Sequence, residues 1–278
     1  MTPDLSGPTT FLPWRRTATP QARLAALAAV LLVAGLVVSN RSLNTSAFMT
    51  LQRLTALAPA PFWAAGSVLG LGLCAALLAA LVADERMAPV ATILWSLLIG
   101  GLALQLVKSI WALPRPLAVL PPESVNVIGL RLRAWSMPSG HAAMLAALAC
   151  ALAREARRRR RSLVPLVWLL GALGCIARVA VGAHWPADVL VGASIGLLSV
   201  IAGDLLDARW SLRRWLSSPV GRRVFAVVQL IAAIFLLAMD TGYPSALAVQ
   251  WLLGIASIVS AVARWRHAKR ERFRTAVG

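Results

Sequence analysis

Apolar runs of about 15–23 residues, parted by short polar segments, constrain this chain more than any other feature. A bilayer core about 30 Å thick calls for about 20 predominantly apolar residues per helix. Runs that meet or approach this length fall at about 24–39, 61–83, 88–107, 139–153, 163–181, 187–206, 223–240 and 244–263. The expected fold is therefore all-α, a polytopic membrane helical bundle of eight spans. Residues 40–57, opening with the polar turn Asn40-Arg41-Ser42-Leu43-Asn44, are mildly amphipathic and are expected to lie along the outer interface. Residues 1–22 are Pro/Thr-rich, carry Arg15 and Arg16, and show no apolar stretch ending in small residues, so they read as a cytoplasmic tail and not a cleaved leader.

The formal charge of +18 would suggest nucleic acid in a soluble protein, but the chain is 59% hydrophobic and its arginines sit in the short segments between spans. There they act as topology signals and anionic-lipid contacts. No nucleic-acid partner is expected. Lys and Arg favour cytoplasmic loops, and alternate loops hold Arg86, then Arg154 with Arg157 to Arg161, then Arg209, Arg213, Arg214, Arg222 and Arg223, then the tail from Arg264 to Arg274. These and both termini are assigned to the cytoplasm. The exception is the segment 108–137, which carries Lys108, Arg115, Arg131 and Arg133 on the outer side. Cys74, Cys150 and Cys175 lie within apolar segments and offer neither a disulfide framework nor zinc spacing.

Three polar islands interrupt the apolar pattern, all on the assigned outer side. Ionisable groups at membrane depth are expensive and mark functional sites. In Arg178-Val-Ala-Val-Gly-Ala-His184-Trp-Pro-Ala-Asp188, Pro186 suits a first helical turn, which would set His184 and Asp188 on one face at i,i+4. A carboxylate there can orient an imidazole and strengthen it as a nucleophile. Read singly, His184 is a satisfied core histidine. In Pro138-Ser139-Gly140-His141, Ser139 can cap the following helix, whose free N–H groups would receive an anion that Gly140 lets approach closely, and His141 is placed as a general acid. Taken alone it is only a helix start. Lys108, Arg115 and Arg178 have little acid nearby to neutralise them, Glu123 being the one acid between 111 and 137, and together suit a phosphoryl group. Lys108 and Arg115 by themselves also fit snorkelling to the interface.

Lys108-x6-Arg115-Pro116, Pro138-Ser139-Gly140-His141 and Arg178-x5-His184-x3-Asp188 together resemble, in order and spacing, the three-part signature of the type 2 phosphatidic acid phosphatase superfamily, membrane lipid phosphatases related to vanadium haloperoxidases. The resemblance covers roughly residues 61–206 and departs at Ala177, where the family usually has Ser before the arginine. It implies a six-helix catalytic core, which the eight spans of this chain exceed by two additional C-terminal transmembrane helices. The corresponding division is a tail at 1–23, a catalytic membrane domain at 24–206, a linker and two helices at 207–263, and a basic cytoplasmic tail at 264–278.

The resemblance further implies a phosphatase or phosphotransferase without metal or other cofactor. His184, oriented by Asp188, would attack phosphorus and form a phosphohistidine, and His141 would protonate the leaving oxygen. Lys108, Arg115, Ser139, Gly140 and Arg178 would hold the phosphoryl oxygens. An outward site among apolar helices suits a lipid phosphate. Arg131 and Arg133, beside the second motif, could meet a second phosphate and favour a diphosphate, undecaprenyl diphosphate first. Lipid A phosphatase, lipid A phosphotransferase using undecaprenyl diphosphate, phosphatidylglycerol phosphate phosphatase, and a non-catalytic lipid-phosphate transporter or scaffold are the rival readings. A vanadate-dependent peroxidase is disfavoured by the membrane spans. The expected location is the bacterial inner membrane, with the site facing the periplasm. The sequence leaves the oligomeric state open.

Overall fold

A computed structural model describes residues 19–277, with side chains through Ala268. The proposed N-terminal tail falls almost wholly outside the described residues, as do the side chains of the basic C-terminal tail beyond Ala268.

The described residues form helices, turns and loops, with no strand among them. Helix α1 (Pro20–Val38) begins at Thr19, whose hydroxyl accepts from Ala22 N, with Pro20 in the first turn. Helix α2 (Arg41–Thr55) begins where the Asn40 side chain accepts from the N–H groups of Ser42 and Leu43. Then come α3 (Ala60–Leu69), α4 (Gly72–Val82), α5 (Ala88–Ile110) and the short α6 (Pro116–Val119) within the long loop. Helices α7 (Gly140–Arg159), α8 (Val164–Ala180) and α9 (Pro186–Trp210) follow, and α10 (Leu212–Ser217) leads to the pair α11 (Pro219–Ala238) and α12 (Leu247–Val277).

Six helices among the described residues are long and apolar enough to cross a membrane: Pro20–Val38, Ala88–Ile110, Arg161–Ala180, Pro186–Trp210, Pro219–Ala238 and Pro244–Ala268. Their outward faces carry Val30, Leu102, Leu170, Ile231 and Leu252, an apolar surface that suits lipid and not water. Two of the eight expected spans differ from the others. The stretch at 61–83 is broken into α3 and α4, bent by 80°. Two glycines flank the break, each a poor helix former, and the bend lets α7 approach: a Cβ on Gly70 would sit 3.1 Å from His141 Cβ and 3.0 Å from Leu145 Cδ1. The stretch at 139–153 becomes α7, whose apolar part is only about 21 Å long at 1.5 Å per residue before Arg154 and Glu155 begin its polar end. It needs no lipid-matched length, because Ala142 to Ala151 are almost entirely buried by protein.

α7 and α9 are the axis of the fold. Gly192 and Gly196 on α9 face the α7 backbone so closely that a Cβ on either would strike the carbonyl of Ser139 or Ala143. Ser139 N donates to Asp188 O at 3.0 Å, which ties the start of α7 to the start of α9. The same end of the bundle receives the C-termini of α5 and α8. At the other end, the arginine-rich loops pair with acids: Arg154 with Asp204 at 2.8 Å, and Arg158 with Asp84 and Glu155, each at 2.5 Å.

α2 is tied into the bundle. Its Gln52 is buried, donates to the carbonyls of Val179 (2.6 Å) and Ala180 (3.1 Å), and accepts from Asn126 N (2.8 Å). One side chain thus binds two carbonyls at the end of α8 and pins the long loop beside them. Phe48 packs edge-on against Trp185, with ring centroids 5.2 Å apart.

Candidate active site

The three polar islands meet at one end of the α5, α7, α8 and α9 cluster. Lys108, Arg115, His141, Arg178, His184 and Asp188 lie within electrostatic reach of one another. Three cations face a single carboxylate.

Ser139 caps α7 as its sequence suggests, accepting from Ala142 N at 3.3 Å. Gly140 and His141 therefore carry the first free N–H groups of a helix, the arrangement that receives an anion. Pro186 occupies the first turn of α9 with Trp185 as its cap. His184 precedes that cap, so it and Asp188 are not neighbours on one helix face. They meet because the chain wraps back: the Arg178 carbonyl accepts from the N–H groups of Ala183 (3.2 Å) and His184 (3.1 Å).

His184 Nδ1 lies 3.4 Å from Asp188 Oδ2, longer than a well-formed hydrogen bond and off its line, while Oδ2 accepts from Trp185 N at 2.9 Å and from Ser136 Oγ. At His184 Nε2 the neighbour is Arg115 Nη1, 3.2 Å away. A guanidinium only donates, so Nε2 is the acceptor and the ring proton sits on Nδ1, facing the carboxylate. Burial, reinforced by Arg115, Arg178 and Lys108, pushes the His184 pKa well below its ordinary value. The result is a neutral imidazole with its lone pair on Nε2, the form that can act as a nucleophile.

Arg115 departs from the expected role of a free phosphate fork. Its Nε donates to Ala134 O (2.6 Å), Nη1 to Ala183 O (2.7 Å) and Nη2 to Trp135 O (3.3 Å), and its backbone N–H donates to Arg133 O (3.0 Å). It clamps the long loop to the His184 turn. Burial and the nearby Arg178 lower its pKa to about 10, which leaves it cationic at neutral pH.

Arg178 is the opposite case. It is only 1% exposed, and its guanidinium makes one hydrogen bond among the described residues, from Nη1 to Tyr243 Oη at 3.0 Å; Nε has no partner. No carboxylate among the described residues pairs with it. A buried cation left with unspent donors is costly unless an anion joins it.

Arg131 and Arg133 are exposed, and their side chains make no hydrogen bond or ion pair among the described residues. Only the Arg133 carbonyl takes part, through Arg115. Sequence reasoning missed Ser136, Asn44 and Tyr243. Asn44 Oδ1 accepts from Ala187 N at the start of α9 (3.2 Å). Ser136 stood three residues before the recognised Ser139, and Tyr243 is the chain's single tyrosine, but neither spacing announced a partner.

An apolar cleft of about 210 Å³ opens beside His141, lined by Gly70, Leu71, Leu97, Leu104, Gly140 and Met144 among others. A larger cavity, about 930 Å³, lies at the opposite end among Arg86, Arg154, Arg158, Asp204 and Asp207. No histidine reaches it, and its Glu155, Asp204 and Asp207 are engaged by arginines or by Trp95. The smaller cleft touches the polar islands through Gly140 and His141.

Residues 89–211 match the family model of the PAP2 superfamily. That segment is less than half of the chain. It contains every one of the site residues named from the three islands, and superfamily members are phosphatases. α1 to α4 and the pair α11–α12 lie outside the PAP2 segment. No curated protein and no solved structure matches the chain.

Proposed function

We propose that the protein is an integral membrane lipid phosphatase that cleaves a phosphate from a lipid phosphate or diphosphate, undecaprenyl diphosphate first, through a phosphohistidine and without metal. The observation that carries this reading is the buried, carboxylate-free Arg178 beside a neutral His184 whose Nε2 lone pair faces the same cation-rich space. An anion completes that space, and a nucleophile stands in it.

Phosphoryl transfer asks chiefly for positioning and charge stabilisation. Arg178, Lys108 and the first N–H groups of α7 hold the phosphoryl oxygens, and Arg115 releases Nε2 as the phosphoryl group enters. The Nε2 lone pair forms the N–P bond while the P–O bond to the lipid breaks, its electron pair leaving on oxygen. His141, which takes up a proton as the phosphoryl anion joins the cations around it, gives that proton to the oxygen. The imidazolium left on His184 keeps its Nδ1 proton toward Asp188. Water then attacks phosphorus, the N–P bond breaks with its pair returning to Nε2, and His141 takes the water proton.

A lipid substrate is supported by the apolar cleft beside His141, where the leaving oxygen and its chain would sit. The proposed orientation, with the site periplasmic and the arginine-rich loops and termini cytoplasmic in a bacterial inner membrane, is supported by the gathering of those loops at the end away from the site. In the same reading α11 and α12 are two spans added to a six-helix core. The exposed Arg131 and Arg133 are offered as contacts for the second phosphate of a diphosphate.

The test is phosphate release by purified protein in detergent with EDTA from undecaprenyl diphosphate, phosphatidylglycerol phosphate, phosphatidic acid and lipid A, beside His184→Ala. Release that stops with His184→Ala is expected, fastest from the diphosphate. Absence of release from all four lipids would overturn the hydrolase.

A further inference from the structure

We propose that Tyr243, on the turn between α11 and α12, is a positioning residue for Arg178, so that the C-terminal helical pair completes the anion site. The inference rests on the phosphatase reading and adds to it a residue that lies beyond the PAP2 segment.

Tyr243 is buried in the apolar cluster that also holds Trp63, Ala177, Ala180 and Leu236, so its ring joins the helical pair to α3 and α8. Its hydroxyl accepts from Arg178 Nη1 at 3.0 Å, the one hydrogen bond that the guanidinium makes among the described residues. Ala177, next to Arg178, offers no hydroxyl. The anchor is therefore supplied from 65 residues away.

The chemistry of the anchor matters. A carboxylate in this position would neutralise Arg178 and compete with a phosphoryl group for it. A phenol is neutral: it fixes the guanidinium and leaves both its charge and its remaining donors available.

The turn is built to hold the ring. Gln250 is buried, and its Nε2 donates to the carbonyls of Leu236 (2.6 Å) and Met239 (2.8 Å), while its Oε1 accepts from Thr241 Oγ1 (3.2 Å). On the other side, Gly129 of the long loop touches the turn so closely that a Cβ there would lie 2.6 Å from Tyr243 Cδ1 and 2.5 Å from Gly242 O. That loop is joined to the end of α8 through Ile128 N and Val181 O at 3.3 Å. Tyr243 is thus wedged between the loop and the helix that carries Arg178.

The experiment uses the full-length protein in detergent and compares wild type, Tyr243→Phe, Arg178→Lys and the double variant. Phosphate release and the affinity for orthovanadate, a phosphate mimic, are both measured. Phe keeps the ring and removes only the acceptor. Loss of a hydrogen bond to a charged group predicts a fall of about tenfold in kcat/KM and a similar weakening of vanadate binding, with the melting temperature shifted by no more than about 2 °C. In the Arg178→Lys background the same change should cost less than about twofold, since Tyr243 acts through the guanidinium. Wild-type values in Tyr243→Phe, or the same tenfold loss repeated on Arg178→Lys, would overturn the proposal. Wild-type protein that binds vanadate without releasing phosphate would sink the hydrolase alone, with vanadate affinity still deciding for or against Tyr243. Wild-type protein that does neither would overturn both.

Discussion

Replacing Asp188 by Asn removes one negative charge from the site and little else. The amide oxygen can still accept from Trp185 N, so the start of α9 keeps its tie to the turn. What is lost is the attraction between the carboxylate and the charge that grows on His184 as Nε2 bonds to phosphorus. Nδ1 and Oδ2 are 3.4 Å apart. Two unit charges at that separation, with an effective dielectric constant of about 20, interact by about 5 kcal/mol. Full charge development would make this a loss of about 4000-fold, and partial development at the transition state brings the expected loss in kcat to about 1000-fold. The assay is the initial rate of phosphate release from undecaprenyl diphosphate at saturating lipid, with KM measured alongside. Because the carboxylate touches the nucleophile and not the phosphoryl oxygens, KM should change far less than kcat. A loss in kcat smaller than about tenfold would refute the argument that Asp188 stabilises charge on His184.

Four further outcomes follow from the same geometry. Ser136→Ala removes the hydroxyl that donates to Asp188 Oδ2 and should lower kcat by about tenfold on the usual scale for a charge-assisted hydrogen bond, with little added loss in Asp188→Asn; steady-state rates of both backgrounds check it. Burial among cations holds the His184 pKa well below 6.5, so the acid limb of kcat/KM should lie below that value, activity persisting as pH falls past 6.5 and failing only as pH drops through the lowered pKa; a pH profile with its acid limb at or above 6.5 would contradict the burial argument. Gly192→Ala drives a methyl into the Ser139 carbonyl and should destabilise the protein by about 1–3 kcal/mol, with activity falling as the start of α7 moves, measured by thermal melts and rates together. Gly129→Ala, strained at φ +80° and aimed at the Tyr243 ring, should reproduce the activity loss of Tyr243→Phe from a position that carries no functional group.

What the sequence could disclose was whatever is local along the chain. Apolar length marks α1, α5, α8, α9, α11 and α12, and the cap at Ser139 and the first-turn Pro186 lie where their neighbours indicate. The three polar islands were legible because charge stands out in apolar sequence. Their convergence was inferred from a shared side of the membrane, and the structure brings Lys108, Arg115, His141, Arg178, His184 and Asp188 together. The bend between α3 and α4 was hidden because the apolar run continues through Gly70 and Gly72, and hydropathy carries no direction. Arg115 was read as a phosphate ligand from its residue type and its motif, and its bonds to the carbonyls of Ala134, Trp135 and Ala183 are ones that no side-chain pattern encodes. Gln52, Ser136 and Tyr243 escaped for a related reason. Each acts across 52 to 127 or more residues of chain, through packing that only the assembled bundle creates.

The most direct test of the account is where the phosphoryl group goes. Wild-type protein mixed with undecaprenyl diphosphate labelled in its terminal phosphate, then quenched in alkali within the first turnover, should carry an alkali-stable, acid-labile label on the peptide containing His184. The label should be absent from His184→Ala. Turnover that proceeds with no label on that peptide, or that survives His184→Ala, would contradict the assignment of His184 as the nucleophile.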